Sequence, residues 1–344
     1  LYMLHRLRIA GFKTRVFEQA GNVGGTWYWN RYPGARCDIE SMQYAYSFSP
    51  ELEQEWEWTE RYATQPEILR YVNHVADRFD LRHDIQFNTR VATAIFNETS
   101  SRWMIETSNG EHISATYCVM ATGCLSSTNT PNFEGVESFS GSLYHTGEWP
   151  HHEIDFSDQR VGIIGTGSSA IQSIPLIAEQ AKHLYVFQRT PHYTVPARNQ
   201  PLRSDPKKQH SGRKAYGYDE DLTVEEIKAD YLGLRQRALK SFAAVAFTPN
   251  RQSALEMTEM ERQREFEKRW EQGGLTFQGV FSDFAISREA NEFAAEFVRQ
   301  KIQQTVKDSV VAKALVPTYT IGCKRLAVDT DYYKTYNRPN VTLV

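Results

Sequence analysis

Arg160-Val-Gly-Ile-Ile164 runs directly into Gly165-Thr-Gly-Ser-Ser-Ala170. The first five residues read as a short apolar strand, and the GxGxxA that follows reads as a tight turn opening a helix. Gly165 makes the turn, Gly167 lets backbone approach a pyrophosphate, and Ala170 leaves room for helix to pack on strand. Thr166, Ser168 and Ser169 belong to the same turn, whose N–H groups and helix N-terminus attract phosphate oxygens. The helix is predicted over 168–181, with Gln172 in its first turns and a kink expected at Pro175. His183-Leu-Tyr-Val-Phe187 is the next strand. An NAD site would place an acid after it for the ribose 2′-hydroxyl; this chain has Gln188-Arg189-Thr190 instead. A guanidinium at Arg189, with Thr190 beside it, suits a 2′-phosphate, so the unit reads as a site for NADPH.

Working outward toward the N-terminus, half of a second such unit is legible. Leu1 to Ile9 reads as a helix with Leu1, Leu4 and Leu7 on one face, ended by Gly11, and Thr14 to Phe17 reads as a strand closed by Glu18. An acid at that position accepts hydrogen bonds from a ribose without a 2′-phosphate, which fits FAD or NAD. One acidic and one basic ribose position in the same chain suggest FAD plus NADPH, with hydride passing from nicotinamide to flavin. The first strand and Gly-rich turn of this unit would precede Leu1, and Asn340 to Val344 has strand composition with nothing closing it; the expectation is a piece of a longer protein. Gly24-Gly25-Thr26-Trp27-Tyr-Trp29-Asn30, continuing through Arg36-Cys37-Asp38, combines glycine with aromatics either as a loop against a flat ring would or as an aromatic loop packed into the core would, with Arg36 and Asp38 poised as partners. The expected fold is α/β, with two Rossmann-like dinucleotide-binding domains: 1–133 for FAD, lacking its first strand, and 134–344 for NADPH. Tyr117 to Gly123 is read as a further buried strand, Thr130-Pro131-Asn132 as a linker, and about 201–316 as a helical insertion, including helices over 259–272 and 288–306 broken by Gly273-Gly274.

The remaining composition narrows the class. The chain has 344 residues, 40% hydrophobic and 24% charged, with a formal net charge of −3. That is globular composition without the positive field that nucleic acid or an acidic membrane surface attracts. No long uncharged apolar run or signal peptide is present. Cys37, Cys118, Cys124 and Cys323 are scattered without CxxC spacing, which reads as a reducing compartment, with a cytoplasmic location, no metal site and no disulfide framework.

Phe139-Ser-Gly141-Ser-Leu-Tyr-His145-Thr-Gly-Glu-Trp149-Pro150 fits the pattern FxGxxxHxxxWP just ahead of the complete Rossmann unit. This resembles the fingerprint of the type I Baeyer–Villiger monooxygenases. The segment from Gly24 to Asp38, Glu40-Ser41, Tyr44, Ala121-Thr122-Gly123, Gln188 to Pro191 and Gly322-Cys-Lys324-Arg325 resemble that family in order and spacing. The chain is most similar to the phenylacetone and steroid monooxygenase subgroup, over essentially its whole length. The resemblance implies that NADPH reduces FAD, that O2 reacts next, and that one oxygen atom enters beside a ketone carbonyl to give an ester or lactone. Such a route passes through an anionic oxygen species, so its site needs a cation that keeps its proton, as arginine does. The resemblance assigns this catalytic role to Arg325, with Asp38 as the carboxylate that orients and balances it, Lys324 as a holder of the 2′-phosphate, and His145 as a positioner of the linker. Cys124 and Cys323 depart from the family pattern and bear on substrate choice. The alternatives are an N- or S-oxygenating flavin monooxygenase, disfavoured by Trp149-Pro150; a disulfide reductase, which needs a redox cysteine pair; and a non-catalytic NADPH-binding fragment. The ketone and the oligomeric state are open.

Overall fold

A computed structural model of the chain describes residues 1–125, 127–202, 223–241 and 244–344. They form two compact units, Leu1–Tyr32 with Gln65–His152 and Pro33–Thr64 with Glu153–Val344. Packing thus divides the chain differently from the expected boundary at 133/134. Residues 33–64 join the second unit because their polar groups are satisfied there, as the site geometry below makes plain, and 134–152 stay with the first.

In the first unit, helix α1 (Tyr2–Ile9) buries Leu4 and gives way to Gly11 at φ +82°. Strand β1 is only Val16–Phe17, shorter than expected. A single turn, α2 (Thr26–Trp29), and a long helix, α3 (Gln65–Arg78), follow. Ile68, Tyr71, Val75 and Ala76 are buried on α3, the i, i+3, i+7 spacing of one helical face. Strand β2 (Ile85–Gln86) pairs in parallel with β1. Strands β3 (Val91–Asn97), β4 (Arg102–Thr107) and β5 (His112–Ala115) then make an antiparallel meander with β4 in the centre. Tyr117 to Gly123 forms no strand, contrary to expectation, and Tyr117, Val119 and Met120 are exposed. A continuous apolar run is stable as a strand when neighbours cover both its faces, and among the described residues none pairs with it.

In the second unit, β6 (Arg160–Ile164), α4 (Ser168–Gln180) and β7 (His183–Phe187) follow the expected order and bounds closely. Helix α4 runs through Pro175. Ile171, Ile174, Ile177 and Ala178 around it are buried, and each large side chain contributes roughly 1.5–3 kcal/mol against a proline cost of about 3 kcal/mol. Past Pro191 the chain forms β8 (Thr194–Pro196). The described part of the expected insertion is mainly helical, with Val224–Ala229, Tyr231–Lys240, α5 (Glu259–Gln272), α6 (Arg288–Thr305) and Ser309–Leu315 joined by irregular segments; residues 203–222 and 242–243 of that expectation lie outside the described residues. Its core is aromatic: Phe266 stacks on Phe297 at 5.0 Å between centroids and meets Phe281 edge-on at 5.2 Å. Gly273 and Gly274, at φ +73° and +67°, end α5 as expected. Strand β9 (Ala327–Asp329) then pairs in parallel with β8, and after one turn, α7 (Tyr332–Thr335), the chain ends in β10 (Val341–Leu343). Strand β10 lies parallel to β7, so the sheet order is β10-β7-β6.

Candidate active site

The site in the second unit is built on the turn between β6 and α4. Gly165 takes φ +103° while its N–H donates to the Phe187 carbonyl at 2.9 Å, which pins the turn to the end of β7. The Thr166 hydroxyl donates to the Thr190 carbonyl at 2.9 Å, tying the turn to the segment that carries Arg189. Among the described residues, no atom beyond the adjoining residues lies within 4 Å of where a Cβ would stand on Gly165 or Gly167. The helix that begins here has Gly167 as its N-cap, which makes no side-chain cap hydrogen bond to its first N–H groups. Open space over two glycines and uncapped helix donors fit a dinucleotide pyrophosphate. Arg189 is exposed just past β7.

Segment 33–41 docks on α4. Gly34 has φ +80°, and a Cβ there would lie 2.3 Å from the Gln172 carbonyl oxygen, so only glycine permits this approach. The Gln172 side chain, expected at the cofactor, is engaged by this segment. Its Nε2 donates to the Arg36 carbonyl at 3.1 Å and to Asp38 Oδ1 at 3.3 Å, and its Oε1 accepts from the Arg36 N–H at 3.4 Å. On its other side the segment runs along 60–64: the Cys37 N–H donates to the Ala63 carbonyl at 3.3 Å and the Ser41 N–H to the Arg61 carbonyl at 2.7 Å. Glu40 and Arg61, both buried, form an ion pair in which Arg61 Nε donates to Glu40 Oε1 at 2.6 Å; Arg61 Nη1 also donates to the Gln272 carbonyl at 2.9 Å. Tyr44 is exposed on the short helix Ser41–Tyr44.

Arg36 and Asp38 are not partners, as had been expected. The Arg36 guanidinium turns to Glu60, 3.6 Å away, across the bridge between residues 36 and 64, while the cation acting on Asp38 is Arg325. Burial raises the Asp38 carboxyl to about 6, opposed by the Arg325 charge and the Gln172 hydrogen bond. Burial likewise pushes the neighbouring Cys37 thiol up to about 12, again with Arg325 acting in the opposite sense. The structure therefore places Arg325, distant in sequence, near enough for its charge to act on Asp38 inside one unit.

Lys324 extends over Tyr319, its Nζ 4.8 Å from the ring centroid. Sequence reading missed two members of this region. His192 Nε2 lies 2.9 Å from the Arg325 carbonyl oxygen, and Tyr319 Oη lies 3.0 Å from His192 Nδ1. Neither residue falls in a motif; the one available signal was His192's place two residues beyond Thr190.

In the first unit, the Glu18 carboxylate accepts from the Ala20 N–H at 2.8 Å, which holds it at the turn after β1. Gly24 and Gly25 have φ +132° and +52°, and a Cβ on Gly24 would meet Leu69 Cδ1 at 2.6 Å. The Trp27 carbonyl accepts from Gln65 Nε2 at 2.5 Å, and both the N–H and the side-chain amide of Asn30 donate to the Thr26 carbonyl, at 2.9 and 3.0 Å. Trp29 packs edge-on against Tyr28 at 5.0 Å. Gly25 has open space where its Cβ would be, as an approach by a flat ring or phosphate requires. In the FxGxxxHxxxWP run the residues build their own turns: Phe139 lies where a Cβ on Gly141 would stand, His145 Nδ1 accepts from the Gly147 N–H at 3.0 Å, and Trp149 contacts Tyr144 at 5.4 Å between centroids. His145 caps the 3₁₀ turn Thr146–Glu148. Among the described residues no group of three or more His, Cys, Asp or Glu stands together as a metal site, and the four cysteines are free thiols.

Residues 16–223 match the profile of the pyridine nucleotide-disulphide oxidoreductase family. The chain belongs to that family. Within it, the whole chain is 43% identical over 346 residues to a Baeyer-Villiger monooxygenase of Pseudooceanicola batsensis, covering 60% of that protein. It is 42% identical over 347 residues to a phenazine N-monooxygenase of Lysobacter antibioticus, covering 61%. Among solved structures, an oxidized steroid monooxygenase bound to NADP superposes on the whole chain with a TM-score of 0.91 at 50% identity, 62% of that chain being covered. Cyclohexanone monooxygenase from Rhodococcus sp. Phi1 bound to NADP+ does so with a TM-score of 0.92 at 41% identity, again with 62% covered. The chain thus spans about 60% of the length of the curated relatives it matches.

Proposed function

We propose that the complete protein is an FAD- and NADPH-dependent Baeyer–Villiger monooxygenase that converts a ketone to an ester or lactone with O2. The observation that carries this reading is that the Arg325 charge acts on buried Asp38 in the unit that also holds the GxGxxA turn. FAD and NADPH, when bound, supply the activated oxygen and the hydride. The chain's own residues bind, orient and supply charge. Gly165, Thr166, Gly167, Ser168 and Ser169 receive the NADPH pyrophosphate, and Arg189, Thr190 and Lys324 hold its 2′-phosphate. Glu18 takes the FAD ribose, while Gly24, Gly25, Thr26, Trp27, Trp29 and Asn30 with Arg36, Cys37 and Tyr44 bear on the flavin. Arg325 holds negative charge on the attacking oxygen; a preorganised donor of this kind is worth on the order of 3–4 kcal/mol. Asp38, above its carboxyl value near pH 7, is the anion that directs it. The free cysteines and the composition favour a cytoplasmic enzyme.

The test uses the full-length protein with a panel of ketones, following NADPH consumption and ester together. Arg325→Ala is expected to keep NADPH-driven flavin reduction within about threefold and to lower ester formation by at least about a hundredfold. Ester formation that survives the change overturns the role of Arg325. The similarity to a phenazine N-monooxygenase supports a second reading, oxygenation of an aromatic ring nitrogen, at the same site. N-oxide formation from a heteroaromatic substrate, without ester from any ketone, would select it.

A further inference from the structure

We propose that His192, seated by Tyr319, is a positioning residue that fixes the backbone of Arg325 and so aims its guanidinium; the consequence for catalysis rests on the monooxygenase reading. A carbonyl oxygen can only accept, so the 2.9 Å contact between His192 Nε2 and the Arg325 carbonyl requires the proton on Nε2. In the neutral ring, which burial favours, Nδ1 is then the acceptor, and the Tyr319 hydroxyl donates to it at 3.0 Å. The same hydroxyl accepts from the Tyr193 N–H at 3.3 Å, so its donor and acceptor roles are both assigned. His192 is itself anchored, because its carbonyl accepts from the Tyr333 hydroxyl at 2.7 Å. The chain of contacts therefore runs Tyr193 N–H to Tyr319 to His192 to Arg325, with each hydrogen placed by necessity.

The position in the fold gives this chain its use. His192 stands two residues before β8, and Arg325 two residues before β9, the parallel partner of β8. The turn that carries Lys324 and Arg325 starts at Gly322, φ +92°, and its Gly322, Cys323, Lys324 and Arg325 are all exposed. Packing does not immobilise such a turn; the imidazole clamps it at the residue that matters. Lys324 is held through the same pair, since its ammonium lies over the ring of Tyr319. Burial and the Lys324 charge favour the neutral ring, which is the form this pattern needs.

Two substitutions separate the donor from mere bulk. A glutamine at 192 can place an amide N–H near the position of Nε2 and keep the bond to the Arg325 carbonyl. An asparagine reaches only as far as Nδ1 and loses it. In the full-length protein, hydrogen exchange of the peptide covering 322–326 is expected to quicken by roughly tenfold in His192→Asn, the loss of about one net hydrogen bond, and to stay within about twofold in His192→Gln. Ester formed per NADPH oxidised is expected to fall with the first variant and hold with the second, with the rate of flavin reduction at saturating NADPH unchanged in both. Equal exchange in the two variants, or an unchanged peptide in His192→Asn, overturns the clamp. Faster exchange with intact ester yield overturns its catalytic consequence. If the unaltered protein makes no ester from any ketone, the monooxygenase reading fails while the exchange pattern still decides the clamp.

Discussion

Asp38 carries an energetic burden that its neighbours only partly relieve. Its carboxyl stands at about 6, above the ordinary value of about 3.9, because burial outweighs the attraction of Arg325 and the Gln172 hydrogen bond. A carboxyl raised in the folded state binds protons there that the unfolded chain has released. Stability therefore falls as pH rises from about 4 to about 6, and the cost persists above that window. Asp38→Asn is expected to stabilise the protein at pH 8 by on the order of 2 kcal/mol while lowering oxygenation, and to leave it nearly unchanged below about pH 4. Thermal unfolding at the two pH values checks this; equal shifts at both would contradict it. The Glu40–Arg61 pair behaves in the opposite way. Both side chains are buried and hydrogen-bonded, so Arg61→Met strands a carboxylate and is expected to cost about 3–5 kcal/mol in urea unfolding. Glu40 was visible in the sequence only through the family resemblance, and Arg61 was not visible at all, because an isolated arginine carries no sign of being buried.

At the scale of elements, the parts with strong periodicity were legible almost to the residue. The strand over 160–164, the strand over 183–187 and the helix over 259–272 appear with the expected bounds. Tyr117 to Gly123 shows where pattern fails: the same apolar composition makes a strand only if another strand is present to pair with it. Residues 33–41 show the converse, an irregular segment without period that is nonetheless held firmly by α4 on one side and 60–64 on the other. Gly34 is its hinge point. Gly34→Ala is expected to destabilise the second unit by at least about 2 kcal/mol, since it combines left-handed strain with a backbone clash against Gln172. Urea unfolding followed by near-ultraviolet circular dichroism measures it, and a change under about 0.5 kcal/mol would show that segment 33–41 can lift away freely.

For the molecule as a whole, the proposed role of the second unit predicts a preference between two nucleotides that differ by one phosphate. If Arg189 and Lys324 hold the 2′-phosphate, Arg189→Ala is expected to weaken NADPH by roughly ten- to a hundredfold and to change NADH by less than about threefold, measured by KM for each in the full-length enzyme. Equal losses would mean that Arg189 supports the fold and not the phosphate. The spacing of small residues and apolar runs was enough, by itself, to specify the strand, turn, helix and strand of a Rossmann unit, because those features act over a few residues of backbone. It could not specify that Arg36 would turn to Glu60, that Arg325 would face Asp38, or that His192 would grip the Arg325 carbonyl. Those pairings depend on which distant groups are desolvated together and on which donors remain to be satisfied, and only the folded chain settles that.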